Sequence, residues 1–179
     1  MSVGERGAVR VREATEADLE AVAALRVRGW RYAYRGLMPP EYLAGLDAAA
    51  HAARRRETFA ATRGTTTDLV AVEDDGRIVG WAALGPCRDD DASPGDGEVY
   101  ALYAEPERIG TGIGRALLEE VGARLARQGR PRLLLWVAKG NERARRFYER
   151  AGFAPDGAEE SFDAGGVPVP EVRYVREPR

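Results

Sequence analysis

The run Ile109-Gly110-Thr111-Gly112-Ile113-Gly114 places three glycines at alternate positions between an apolar segment and an amphipathic one. A helix N-terminus leaves several N–H groups unpaired and carries partial positive charge, so a phosphate can sit there. Glycines let the backbone approach such an anion without side chains in the way. A P-loop needs Lys-Ser or Lys-Thr after its last glycine, and here Arg115-Ala116 follows, which argues against a nucleotide triphosphatase. A dinucleotide fingerprint needs two residues between its second and third glycines and an acid ending the next strand. This chain has Gly-x-Gly-x-Gly, and "RLLLWV" runs into Ala138-Lys139, so the run fails both conditions.

The other reactive side chains narrow the chemistry further. Cys87 is the only cysteine, which excludes an internal disulfide and a cysteine metal cluster. His51 is the only histidine and lies in an Ala/Arg-rich stretch without a second ligand in its neighbourhood, so neither a metal site nor a Ser-His-Asp triad is expected. Any catalysis must then come from carboxylates, tyrosines, backbone amides or a bound cosubstrate.

A net charge of -2 gives no global pull toward nucleic acid or anionic lipid, and neither is expected as a partner. The start "MSVGERGAVRVREA" has no apolar leader, and no run reaches the length of a membrane span, so a cytoplasmic protein is expected. With 44% hydrophobic and 31% charged residues, the chain reads as one folded domain over 1–179, ordered from about residue 8 to 177.

Periodicity supplies the elements that must position these groups. "VRVREA" (Val9 to Ala14) alternates as a strand. Thr15 then opens a helix with Asp18 as its capping-box partner, and Leu19, Val22, Ala23, Val27, Trp30 and Tyr34 share one face. Gly36 ends it, "MPPEYLAGL" starts a short helix, and a third runs from about Ala48 to Ala61. Two β-like runs flank Asp75-Gly76, the pair favoured by a type I′ hairpin. The loop Gly85 to Gly97 is acidic, "EVYALYAEP" reads as a central strand, and the glycine run opens a helix burying Ile113, Leu117, Leu118, Val121 and Leu125. "RLLLWV" is a buried strand, and "NERARRFYERAG" a helix with Ala144, Phe147, Tyr148 and Ala151 on one face. Two last strands flank Gly165-Gly166, where Pro168 and Pro170 argue for edge positions or an irregular start. The order β, α, α, α, ββ, β, α, β, α, β, β implies an α/β mixed sheet of about seven strands with helices on both faces.

Two segments resemble the GNAT family of acetyltransferases. "LYAEPERIGTGIGRALL" is similar to its acetyl-CoA motif in strand, proline, glycine spacing and helix, but has Ile109 where the family carries Gln or Arg. "NERARRFYERAGF" (Asn141 to Phe153) resembles the family's Asn-x-x-Ala-x-x-Phe-Tyr-x-x-x-Gly-Phe segment at every defining position. The opening "WRYAYRGLMPPEYLAGL" and the closing "GGVPVPEVRY" are similar to one subgroup.

The resemblance implies a GNAT fold and transfer of the acetyl group of acetyl-CoA to an amine, by direct attack in a ternary complex, with no metal. Leu102, Tyr103 and Ala104 would pair with the pantetheine arm, and the amides from Ile109 through Gly110, Thr111, Gly112, Ile113 and Gly114 to Arg115 would take the pyrophosphate. Asn141 would bind the CoA arm, with Arg143, Arg145 and Arg146 near the ribose phosphate. Tyr148 is the expected acid for the departing thiolate. Glu98 is the first choice of general base, with Asp96, Asp89 to Asp91, Tyr34 and Tyr100 as alternatives. Trp30, Tyr34 and Tyr42 would wall a pocket for a small-molecule or peptide amine. If Asp89 to Asp91 and Glu98 line its entrance, a cationic acceptor is favoured. C-terminal edge strands leave a route to a homodimer.

Overall fold

The computed structural model describes residues 9–178. The first residues of the chain, including the start of the expected ordered span at residue 8, lie outside them. Seven strands form one sheet in the order β1-β2-β3-β4-β5-β7-β6. They are β1 (Arg10–Glu13), β2 (Thr67–Val72), β3 (Ile78–Pro86), β4 (Asp96–Ala104), β5 (Arg132–Ala138), β6 (Ala154–Asp163) and β7 (Pro168–Arg176). The β4–β5 pair is parallel and the other neighbours are antiparallel. The helices are α1 (Leu19–Ala33), α2 (Pro40–Ala44), α3 (Ala48–Thr62), α4 (Ile113–Arg127) and α5 (Glu142–Arg150).

Helices α4 and α5 cover one face. Ile113, Leu117, Leu118, Val121 and Leu125 of α4 meet Leu69, Ala71, Val99, Leu133 and Leu135, and Tyr148 closes that core from α5. The stripe read from the sequence is the buried one, because side chains three and four apart share a helix face. Helix α1 covers the other face, with Val22 and Leu25 against Val70, Val72, Trp81 and Ala83. A third cluster joins Trp30, Met38 and Leu43 to Ala138, Ala164 and Val169 at the α2 end.

Three expectations are adjusted. Thr15 opens a single 3₁₀ turn (Glu16–Asp18) before α1, with the Asp18 carboxylate accepting from the Thr15 backbone N–H at 2.7 Å. Gly76 has φ of 87° but Asp75 is not left-handed, so the β2–β3 hairpin is not type I′. It is a turn closed from Gly76 N–H to the Glu73 carbonyl at 2.9 Å. β7 is interior, not an edge, and the edges are β1 and β6. Pro168 and Pro170 are tolerated because β5 pairs only with Glu171–Arg176, so both prolines precede the doubly paired stretch.

One feature of the sheet opens the site. β4 and β5 pair only through Asp96, Gly97 and Glu98 against Arg132, Leu133 and Leu134, and no pairing continues past Glu98. β4 also bulges, since Ala101 faces Ala83 and Val99 faces Leu84 while Tyr100 has no partner. An extra residue bends its strand, and the wedge beyond Glu98 begins at that bend.

Candidate active site

The wedge leaves the β5-facing backbone groups of the Leu102-Tyr103-Ala104 stretch without a strand partner, although all three residues pair with Ala82, Trp81 and Gly80 of β3 on the other side. An extended ligand arm can take the place of the missing strand. At the mouth of the wedge the glycine loop turns into α4. Gly110 and Gly112 have φ of 83° and 94°, which only glycine adopts without strain. A side chain at either position would meet nothing within 4 Å, so the loop faces open space. The backbone amides of Gly112, Ile113, Gly114 and Arg115 have no partner among the described residues, the next one along donating from Ala116 to the Gly112 carbonyl at 2.9 Å. Four free donors at the positive end of a helix make an anion site.

The side chains around the loop contribute less than its backbone. Ile109 is exposed and apolar. Arg108 turns away to an ion pair with Glu73, so it does not replace the missing Gln or Arg. Arg115 is paired with Glu119 one turn on. The packing is tight where the two motifs meet: a Cβ on Gly114 would lie 3.3 Å from the Phe147 ring.

Helix α5 presents the second motif. Asn141 caps it, its Oδ1 accepting from the Ala144 N–H at 3.2 Å, while its side-chain NH2 makes no hydrogen bond among the described residues. Tyr148 is buried against Phe147 and Phe153. Its hydroxyl makes no hydrogen bond among the described residues. Burial pushes its pKa up, with the nearby Tyr103 adding to the effect, so the hydroxyl keeps its proton. Of the α5 arginines, Arg143 donates to the Tyr32 hydroxyl at 2.8 Å, Arg145 donates to the Tyr174 hydroxyl and the Lys139 carbonyl, and Arg146 sits in an exposed pair with Glu142.

On the opposite face, Tyr34 and Tyr103 share a hydrogen bond at 3.1 Å, and burial raises the pKa of both. Trp30 packs edge-on against Tyr34 and Phe162, and Tyr42 against Phe162. Of the three expected pocket aromatics, only Trp30 lines the cavity between α1, α3 and β2–β4. Tyr34 and Tyr42 belong to the adjoining cluster.

Glu98 is buried at the apex of the wedge, but it is not free. Both its oxygens accept from the Arg88 guanidinium, at 2.7 and 3.1 Å, and the Arg88 backbone N–H adds a third bond at 3.0 Å. To accept a proton it would have to surrender its ion pair with Arg88. Two acids of the loop are engaged: Asp89 and Asp91 pair with Arg173, and Asp89 also accepts from Trp136 Nε1, while Asp90 is exposed. Asp96 is buried against Arg132 at 2.7 Å. Cys87, Asp89 and Glu98 bring one ligand atom each within 4.8 Å of one another, with both carboxylates held by arginines.

The sequence reading missed a different carboxylate. Glu171 of β7 lies directly across from Glu160 of β6. It shares its sheet face with Val169, which packs beside Trp30, since the alternate residues Val172 and Tyr174 point to the α4 side. Burial, the charge of Glu160 and a hydrogen bond shared with it push Glu171 up to about 7. Its charge is felt at both Tyr34 and Tyr103. The signal in the sequence was two acids eleven positions apart around Gly165-Gly166, which only the register turns into a pair.

A model of the family described as "Acetyltransferase (GNAT) family" matches residues 30–153, from the start of the pocket aromatics to the end of the second motif. The chain belongs to the GNAT family of acetyltransferases. It is 33% identical over 165 residues to the uncharacterized N-acetyltransferase YuaI of Bacillus subtilis, covering 92% of this chain and 90% of that one. To the uncharacterized N-acetyltransferase Mb2688 of Mycobacterium bovis it is 36% identical over 161 residues, covering 89% and 97%. Its fold matches the crystal structure of a PaiA N-acetyltransferase of Thermoplasma acidophilum in complex with coenzyme A, with a TM-score of 0.75 at 20% identity over 95% of this chain and 99% of that one. The seven-stranded mixed sheet with helices on both faces is thus a GNAT fold, and the chain is an N-acetyltransferase of this family. No helix among the described residues is long and apolar enough to cross a membrane.

Proposed function

We propose that this protein transfers the acetyl group of acetyl-CoA directly to the amine of a small acceptor within a ternary complex. The observation that carries the reading is the join of two vacancies of hydrogen bonding: four free amides at the α4 N-terminus and the unpaired β4 backbone in the wedge. The first suits a pyrophosphate and the second an amide-bearing arm, and the two adjoin where Gly114 of α4 nears the Leu102 side chain. Asn141 offers its free NH2 to the same arm. Acetyl-CoA supplies the acyl group and a thiolate leaving group.

Tyr148 acts as the acid. Its buried, protonated hydroxyl is without a partner among the described residues and hands a proton to the departing sulfur. An N–H of the bulged β4 stretch stabilises the negative charge that gathers on the carbonyl oxygen as the amine attacks. Glu171 fits the base better than Glu98 does: it is half-buried, free of any arginine and tuned to about 7, so it takes the proton of an ammonium near neutral pH. Its charge reaches both members of the Tyr34–Tyr103 pair.

Initial-velocity measurements against both substrates test the route. Intersecting lines are expected for a ternary complex; parallel lines together with an acetylated protein in the mass spectrum would overturn it. Calorimetric titration with acetyl-CoA tests the donor half separately.

A further inference from the structure

The cavity on the α1–α3 side has a volume of about 380 Å³ and is walled by β4 through Tyr100, Ala101 and Tyr103. Opposite them stand Arg26 of α1 and His51 and Arg55 of α3. The charges here are not balanced. Arg88 at the rim is held by Glu98, and Arg55 by Asp68. Arg26 has no carboxylate partner among the described residues; its guanidinium rests 4.3 Å from the centre of the Trp30 ring. The groups closest to it in charge effect are the tyrosines 103, 42 and 34 and a second cation, Arg55.

A second observation is independent of charge. The buried side-chain nitrogens and oxygens that lack a hydrogen-bond partner among the described residues are Trp30 Nε1, His51 Nε2 and Arg55 Nε. All three residues line this one cavity. Trp30 Nε1 lies near the Tyr103 hydroxyl without completing a hydrogen bond to it. Trp30 Nε1 and Arg55 Nε can only donate, and a buried donor left unmade costs about 1–3 kcal/mol, so the two mark the place of a missing acceptor. A carboxylate is acceptor-only and offers about four lone-pair sites. Burial, then the charges of Arg26, Arg55 and Arg54, push His51 down to about 4, so it is a neutral imidazole and the arginines alone supply the positive charge.

We propose that the acceptor is a small amine that also carries a carboxylate, seated on Arg26 with Arg55 Nε and His51 beside it, its amine directed to the β4 wall. This deepens the acetyl-transfer reading and rests on it. It differs from the cationic acceptor expected from the acidic loop, of which Asp89 and Asp91 share Arg173.

The test compares amino acids with a free carboxylate against the same amines as carboxamides, and against a polyamine, by thiol release at saturating acetyl-CoA. The acids are expected to exceed their amides in kcat/KM by about 100-fold or more, because an amide leaves Arg26 unpaired. Arg26→Gln is expected to narrow that preference by at least about 30-fold, mainly through KM, and Arg26→Lys to restore part of it. Amides or polyamine turned over as well as the acids would overturn the proposal, as would an Arg26→Gln variant that keeps the full preference. Melting curves check that each variant folds; if Arg26→Gln does not, Arg26→Lys and the acid-against-amide comparison on the unaltered protein decide. If acetyl-CoA binds and no amine turns over, the acetyl-transfer reading fails, and calorimetry of the same amino acids on the unaltered protein and Arg26→Lys judges the carboxylate site. Equal affinity for acid and amide would then overturn it.

Discussion

Glu171→Gln is a perturbation that can be followed without knowing the acceptor. In the folded protein Glu171 is pushed from its ordinary 4.5 to about 7, first by burial and then by Glu160. The folded chain therefore holds a proton there that the unfolded chain has lost, over the window from about 4.5 to about 7. Stability contributed by that proton is complete below 4.5 and is lost as pH rises through about 7. At 1.36 kcal/mol per pH unit the ceiling is about 3.4 kcal/mol. Glu171 is only half-buried and Glu160 is exposed, so solvent screening cuts this to roughly 1–2 kcal/mol. The glutamine amide replaces the shared proton with a permanent donor to Glu160.

Glu171→Gln is thus expected to match the unaltered protein near pH 4.5 and to exceed it at pH 8 by roughly 1–2 kcal/mol, or about 3–6 °C in Tm for a chain of this size. The assay is a urea melt of both proteins at half-unit steps of pH, and the quantity read is their difference, in which all other titrations cancel. A difference that stays flat from pH 5 to 8 would refute the tuned carboxylate, and with it the reason for naming Glu171 as the base. The same substitution is expected to lower turnover about 100-fold or more with an accepted amine, so that a gain in stability accompanies a loss of function.

Tyr148→Phe is expected to lower kcat by about 100-fold while acetyl-CoA affinity changes less than about threefold, and an undiminished kcat would remove Tyr148 as the acid. Gly112→Val forces a β-branched residue to the φ of 94° and sets it over the free amides. About 1–2 kcal/mol of stability and at least about tenfold in acetyl-CoA affinity by calorimetry should go, and unchanged affinity would dissociate the loop from the cofactor. Gly80→Ala probes the packing behind the site, since its Cβ would lie 2.6 Å from Ile113 Cγ2 and 2.9 Å from Leu117 Cδ1. A loss of about 1–3 kcal/mol in a denaturant melt is expected from overpacking, and a neutral result would mean that α4 can shift off β3.

The glycine loop and the α5 helix, which we propose hold acetyl-CoA, were legible in the sequence because their signals are local. Glycines at 110 and 112 are demanded by their own backbone angles, the α4 stripe by helical spacing, and the helix of Asn141 and Tyr148 by a motif within one segment. Proximity along the chain guarantees proximity in space there. The region we propose for the acceptor was not legible, because each of its decisions is made between segments far apart in sequence. Glu98 reads as a free strand-entry acid until Arg88 is found across the turn holding both its oxygens. Asp89 and Asp91 read as free acids until Arg173, more than eighty residues on, is found paired with both. Glu160 and Glu171 become a pair only through the β6–β7 register. Arg26 becomes a cation without a carboxylate partner among the described residues only where α1 and α3 close over the sheet. A sequence states which charges exist, and only the tertiary structure decides which remain uncompensated; the uncompensated ones are those left to bind and to react.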